Sequence, residues 1–249
     1  MRGKVKPAQG CLGYDREWVR LGGMIWARTS NGWARLCLAS LVWLAACQGS
    51  LNQALLEAVN EADGEEVRDL VEDGADPNFR DDKGSTVLML AVVSGTEEGM
   101  RVLLEGGADP NLTVENGSTA VHMAAATGQT ALLRILLEHG GDPNVEAEAS
   151  TTPLMMASLW SRADTVTALA EAGADLDARN DEDRTALMIA VTEKRPEIVR
   201  ALLDAGASPT AARRGITPLM MARQEGTTEI ELMLRDAMGL TERSQRRRF

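Results

Sequence analysis

Along residues 51–240 the apolar positions come in short bursts, and bursts and polar stretches return at one interval. The bursts "STVLMLAV", "STAVHMAA", "TTPLMMAS", "RTALMIAV" and "ITPLMMAR" carry Thr86, Thr119, Thr152, Thr185 and Thr217, spaced 33, 33, 33 and 32 residues apart. A second landmark keeps the same phase. "GADPN" begins at Gly74 and Gly107, "GGDPN" at Gly140, "GADLD" at Gly173 and "GASPT" at Gly206. Two independent landmarks in phase over five units make chance repetition negligible, and a period of this size means stacked supersecondary units.

Each unit predicts two short helices. Threonine before Pro153 or Pro218 suits a helix cap followed by proline at the first helical position. Ala91, Ala124, Ala157, Ala190 and Ala222 are small enough to let helices approach closely. A glycine-containing turn leads to a second helix such as "LLRILLEHG", with Leu136 and Leu137 expected on its buried side. Gly140 supplies a left-handed cap and Asp-Pro-Asn the following turn. Neither helix can bury its apolar face alone, so neighbouring units must stack.

The pattern x-G-x-T-P-L-h-x-A followed by h-L-L-x-x-G-A-D-P-N is similar to the ankyrin repeat, over about three quarters of the chain. The resemblance implies an all-α repeat fold, an ankyrin solenoid of about six helix-turn-helix units with short β-hairpin turns. The family's histidine after T-P-L survives as His122, while Met89, Met155, Met188 and Met220 replace it elsewhere. In ankyrin domains this phase is stacked between repeats, so these methionines are expected in the core rather than in a copper-binding array. The first unit lacks the T-P-L segment and the last lacks a terminal turn, as end caps should.

The N-terminal stretch follows different rules. Residues 36–46, "LCLASLVWLAA", run for 11 positions without a charge. That is short of the ~20 residues of a spanning helix and right for a signal-peptide core. Arg28 and Arg35 precede it, and Leu44-Ala45-Ala46-Cys47 resembles the lipobox of bacterial lipoproteins. The resemblance implies cleavage before Cys47, diacylglycerol on its sulfur and an acyl chain such as palmitate on its new amino group. Gln48, in place of the aspartate that favours inner-membrane retention, implies the outer membrane, facing the periplasm. Multiple acyl chains anchor stably where one does not. The expected organisation is an extension plus signal peptide over 1–46, a lipidated linker at 47–50, repeats over 51–240 and a basic tail at 241–249. Met24 is the expected start, because 35 residues before the apolar core is long for a signal peptide. Two alternatives stay open: an apolar helix capping the repeats, and an uncut signal anchor.

Charge narrows the partners. Residues 1–47 carry seven Lys/Arg against two Asp/Glu, whereas residues 48–240 carry 15 against 34, a balance of −19. An acidic body argues against nucleic-acid binding, which needs clustered cations, and favours a basic protein partner. Cys11, Cys37 and Cys47 are the three cysteines, so no disulfide can form beyond Cys47. No phosphate loop, nucleophile elbow or paired catalytic carboxylate motif is present. The reading is therefore a monomeric non-enzyme with no cofactor, metal or small-molecule substrate. His122 and His139 lack further ligands at metal-binding spacing, and Asp76, Asp109, Asp142 and Asp175 recur too far apart for a calcium repeat.

Partners of ankyrin domains contact the hairpin tips and the exposed side of the first helix. The phase places Asp82 and Lys83 at one tip, Glu115 and Asn116 at the next, then Glu148. Asp181, Glu182 and Arg184 follow, then Arg213 and Arg214. On the helix side Leu159 and Trp160 correspond to Val93 and Ser94, Ala126 and Thr127, and Thr192 and Glu193. Trp160 is the one tryptophan after Cys47, and tryptophan is enriched among interface hot spots. Packing against its own solenoid is the competing role; for the acidic tips it is a merely solvated face. The functional expectation is a lipid-anchored module of the bacterial cell envelope that scaffolds or inhibits a partner protein, for instance a toxin or hydrolase. The alternative is a cytoplasmic ankyrin scaffold with an accidental signal-like N-terminus.

Overall fold

The computed structural model describes residues 48–160 and 162–240; Met24, the lipobox with Cys47, and the tail at 241–249 lie outside the described residues. The chain divides into two units, Met1–Gln53 and Ala54–Phe249. Of the first, the described residues 48–53 are helical.

The second unit is a run of helix pairs. The first pair is α1, over 54–60, with α2, Gly64–Glu72. The second is α3, Val87–Ser94, with α4, Glu97–Glu105, and the third α5, Ala120–Thr127, with α6, Thr130–Glu138. The fourth is α7, Pro153–Trp160, with α8, Ala163–Glu171, and the fifth α9, Ala186–Thr192, with α10, Pro196–Ala205. The sixth pairs α11, Pro218–Gln224, with α12, Thr228–Ala237. From α3 on, each helix packs against its own partner and against its counterpart in the adjoining pair. Among the described residues no strand forms. Three of the hairpins are reduced to a single bridge each: Arg80 with Thr86, Ala147 with Thr151, and Arg213 with Ile216.

The threonines start the helices as their position requires. The hydroxyls of Thr86, Thr119, Thr152, Thr185 and Thr217 accept from the backbone N–H three residues on, at 3.2, 3.4, 3.4, 3.3 and 3.3 Å. The first four are buried, so each cap also satisfies a polar group withdrawn from water. Helix α6 shows how the second helices stop. Gly140 has φ +85°, the Gly140 N–H donates to Leu137 O at 3.2 Å, and the Gly141 N–H donates to Leu136 O at 2.9 Å. The same bond pair recurs after α4, where Gly107 and Ala108 donate to Leu104 and Leu103. Leu132, Leu133, Ile135 and Leu136 form the buried side of α6, but Leu137 is only half-buried. It lies about 100° round the axis from Leu136, at the edge of the apolar stripe.

The turn asparagines do more than turn. Asn78 Nδ2 donates to Gly107 O at 3.1 Å, and its Oδ1 accepts from the Asp109 N–H at 2.8 Å. Asn111 repeats the bridge to Gly140 O at 2.9 Å and the Asp142 N–H at 2.8 Å, and Asn144 to Gly173 O at 3.2 Å and the Asp175 N–H at 2.7 Å. The first three junctions are thereby each bridged by an asparagine side chain. At the fourth junction the residue is Asp177, which accepts from the Ser208 N–H at 3.0 Å but has no proton to donate.

The last pair ends the stack by substitution. Positions that hold Val92, Ala125, Ser158 and Val191 in the preceding units hold Arg223. Those of Met100, Leu133, Val166 and Val199 hold Glu231, and those of Leu104, Leu137, Ala170 and Leu203 hold Arg235. Glu231 pairs with Arg223 at 3.0 Å and with Arg235 at 3.1 Å. Charge thus replaces apolar surface in the last described pair. Met89, Met155 and Met188 are buried as expected, but Met220 is 53% exposed, because among the described residues no further pair stacks against it.

The junctions differ in a testable way. Asn111→Ala should lose both bridging bonds, at roughly 1 kcal/mol each. Asp177→Asn should restore the missing donor toward Gly206 O and stabilise by about 1 kcal/mol. Urea unfolding of the two variants should move in opposite directions.

A candidate protein-binding face

Residues i, i+3 and i+4 share one side of a helix. On α3 they are Leu90, Val93 and Ser94; on α5, Met123, Ala126 and Thr127; on α7, Met156, Leu159 and Trp160. Leu90, Met123, Met156, Ala126 and Leu159 are half-buried, whereas Val93 is 60% and Trp160 64% exposed. An apolar strip therefore crosses the first helices and turns polar at Thr192 and Glu193 on α9. The Trp160 indole stands mostly in solvent at the C-terminal end of α7, where other units carry Ser94, Thr127 and Glu193. Sequence reading had found Leu159 and Trp160 but missed Met123 and Met156. Their signal in the sequence is helical spacing, three residues before Ala126 and Leu159.

The other edge of this face is the row of hairpin tips. Asp82, Lys83, Glu115, Asn116, Glu148, Asp181, Glu182 and Arg214 are exposed, while Arg184 and Arg213 are half-buried. Arg184 is paired with Glu182 within its own tip. Short side chains shape these loops. Asp81 Oδ1 accepts from the Lys83 and Ser85 N–H groups at 2.9 and 2.8 Å, and Asn180 Oδ1 from those of Glu182 and Arg184 at 3.1 and 2.9 Å. The tip before α7 is held in a strained form, with Ala149 and Ser150 both left-handed at φ +58° and +52°. Such a conformation costs about 1–2 kcal/mol per non-glycine residue. Neighbours on both sides hold it: the Glu148 N–H donates to Asn116 O at 2.8 Å, and Ala149 O accepts from the Asp181 N–H at 3.1 Å. Three successive tips are stitched together, and two of them present Glu148, Asp181 and Glu182 from fixed backbone.

A family model described as Ankyrin repeats (3 copies) matches residues 43–147, 107–180 and 141–213. The chain belongs to the ankyrin-repeat family. A crystal structure titled an ankyrin repeat domain, from Acinetobacter baumannii AYE, is similar, with 32% identity over 74% of this chain and 97% of that one, and a TM-score of 0.68. Comparison with the curated proteins found no match. Ankyrin repeats imply a protein–protein interaction module, and the family is generally a non-enzymatic scaffold.

The one ankyrin-type histidine is structural in its contacts. His122 is buried; its Nδ1 accepts from the Thr119 N–H at 3.2 Å, and its Nε2 faces Thr151 O of the next unit at 3.1 Å. That pattern assigns the neutral ring with its proton on Nε2. Both ring nitrogens are thus occupied. Desolvation by burial holds its pKa below the ordinary imidazole value, against the opposing pull of the Thr151 and Val145 carbonyls. His139 is exposed, with Nδ1 2.8 Å from Ile135 O. Among the described residues, no group of three His, Cys, Asp or Glu side chains could hold a metal ion.

A lowered pKa in the folded state means that the unfolded chain takes up this proton first. The His122 contribution should be complete above about pH 7 and decline as pH falls below about 6.5, by at most ~1.4 kcal/mol per pH unit. His122→Met, the residue of the neighbouring units, should remove that dependence. Urea unfolding at pH 8 and pH 5.5 should show the variant losing less stability than the wild type on acidification.

Proposed function

We propose that this protein is a lipid-anchored interaction module of a bacterial cell envelope, tethered through Cys47 to the outer membrane and facing the periplasm. It scaffolds or inhibits a partner protein through the face carrying Trp160. The observation that carries this reading is the run of basic segment, apolar core and Leu44-Ala45-Ala46-Cys47, followed at once by polar "QGS". No other residue than cysteine could give the thioether link to lipid. The repeats that follow are of a kind that binds proteins, and the similar domain named above comes from Acinetobacter baumannii AYE. Folding of those repeats needs no disulfide, which suits any compartment.

One observation favours a second reading. The family-model match opens at residue 43, inside the apolar core and ahead of Cys47. A chain that used 43–47 as the start of its first repeat would be a cytoplasmic scaffold. The two readings separate on lipid. Produced in a bacterium fed radioactive palmitate, the wild-type chain should carry label and Cys47→Ala should not. An unlabelled wild type would leave the cytoplasmic scaffold. Translation begun at Met24 should give the same labelled product.

A further inference from the structure

The apolar strip and the stitched acidic tips together define what fits between them. Helix α7, which follows the tip carrying Glu148 and ends at Trp160, spans eight residues, about 12 Å. That span equals the ~10–12 Å diameter of an α-helix with its side chains. The floor of the strip is built of Met123, Met156 and Leu159. Unbranched thioether side chains adapt to irregular apolar knobs and are favoured where a helix is grasped. One edge carries Glu148 and Asp181 on rigid backbone, with Glu182 beside them paired to Arg184 of its own tip, and the next tip reverses sign with Arg213 and Arg214. An extended partner strand has no template, because the tips already bond to one another and no strand edge exists among the described residues.

We propose that this strip seats an amphipathic α-helix of the partner protein. Its apolar side chains lie on Met123, Met156, Leu159 and Trp160, and Lys or Arg along one flank faces Glu148, Asp181 and Glu182. This inference rests on the protein-binding reading and names the partner's chemistry; it does not depend on lipidation at Cys47. The basic tip at Arg213 and Arg214 bounds the cationic stretch on the side beyond the tip before α9. A helix with the opposite charge meets repulsion along that edge, which gives specificity as well as attraction. The indole, at the far edge, acts by contact and desolvation rather than by field.

The test uses the full-length chain and a synthetic amphipathic peptide of about five helical turns. It carries leucine at i, i+3, i+4 and i+7 and lysine elsewhere, and a second peptide carries glutamate in place of lysine. The lysine peptide should bind, and more weakly as salt rises. Trp160→Ala should weaken it about tenfold or more, and so should the combined Glu148→Lys, Asp181→Lys and Glu182→Lys variant. A control with the same charge change on α2, Glu65→Lys, Glu66→Lys and Asp69→Lys, should leave affinity within about threefold. Equal loss in the two triple variants would show that only net charge is felt, and would overturn the proposal. So would unchanged affinity in Trp160→Ala, no binding of the lysine peptide, or equal binding of the glutamate peptide. Melting curves confirm that each variant is folded before its affinity is read. Peptide binding by a chain that takes no palmitate would refute the anchor and leave the helix seat standing.

Discussion

No helix pair in this chain can bury its apolar side against itself, and the rest of the structure is a consequence. Each pair offers apolar surface to the pairs before and after it, so the units that fold are junctions rather than repeats. The alanines at Ala91, Ala124, Ala157 and Ala190 are fully buried, which is what close approach of neighbouring first helices demands. The Asn78, Asn111 and Asn144 bridges and the His122 contact to Thr151 all serve the same junctions, and the buried threonine caps start the helices that meet there. In the last described pair charge takes over, as in the Arg223–Glu231–Arg235 group.

Most of this frame is legible in the sequence, because it is local. Threonine before an apolar burst, glycine after one, and a fixed interval between them are statements about one helix end at a time. What was not legible involves two units at once. Asn78 reads as a turn residue, and only the stacked neighbour shows its amide bridging to Gly107 O and the Asp109 N–H. Met220 carries the same sequence signature as Met188, and it is exposed because among the described residues no further pair covers it. Ala149 and Ser150 give no sign of left-handed geometry, since the bonds from Glu148 to Asn116 O and from Asp181 to Ala149 O impose it from adjoining tips.

The candidate face was partly legible for the same reason. Trp160 is conspicuous as the one tryptophan after Cys47, and its exposure places it where a partner can reach it. Met123 and Met156 became visible only when α5 and α7 were seen side by side as one floor. Arg184, a tip residue by its phase, is tied to Glu182 of the same loop, so both are less available than their charges suggest. A frame fixed by junctions and a surface free to vary is how one repeat serves many partners, so site chemistry rather than fold must identify this one.

The claim beneath all of this is that junctions, not units, hold the structure. Circular dichroism of one excised unit, residues 119–151, against the whole chain tests it most directly. The account predicts an excised unit with little helical signal beside a strongly helical chain, because short isolated helices are marginal in water. An isolated unit as helical per residue as the intact protein would contradict it.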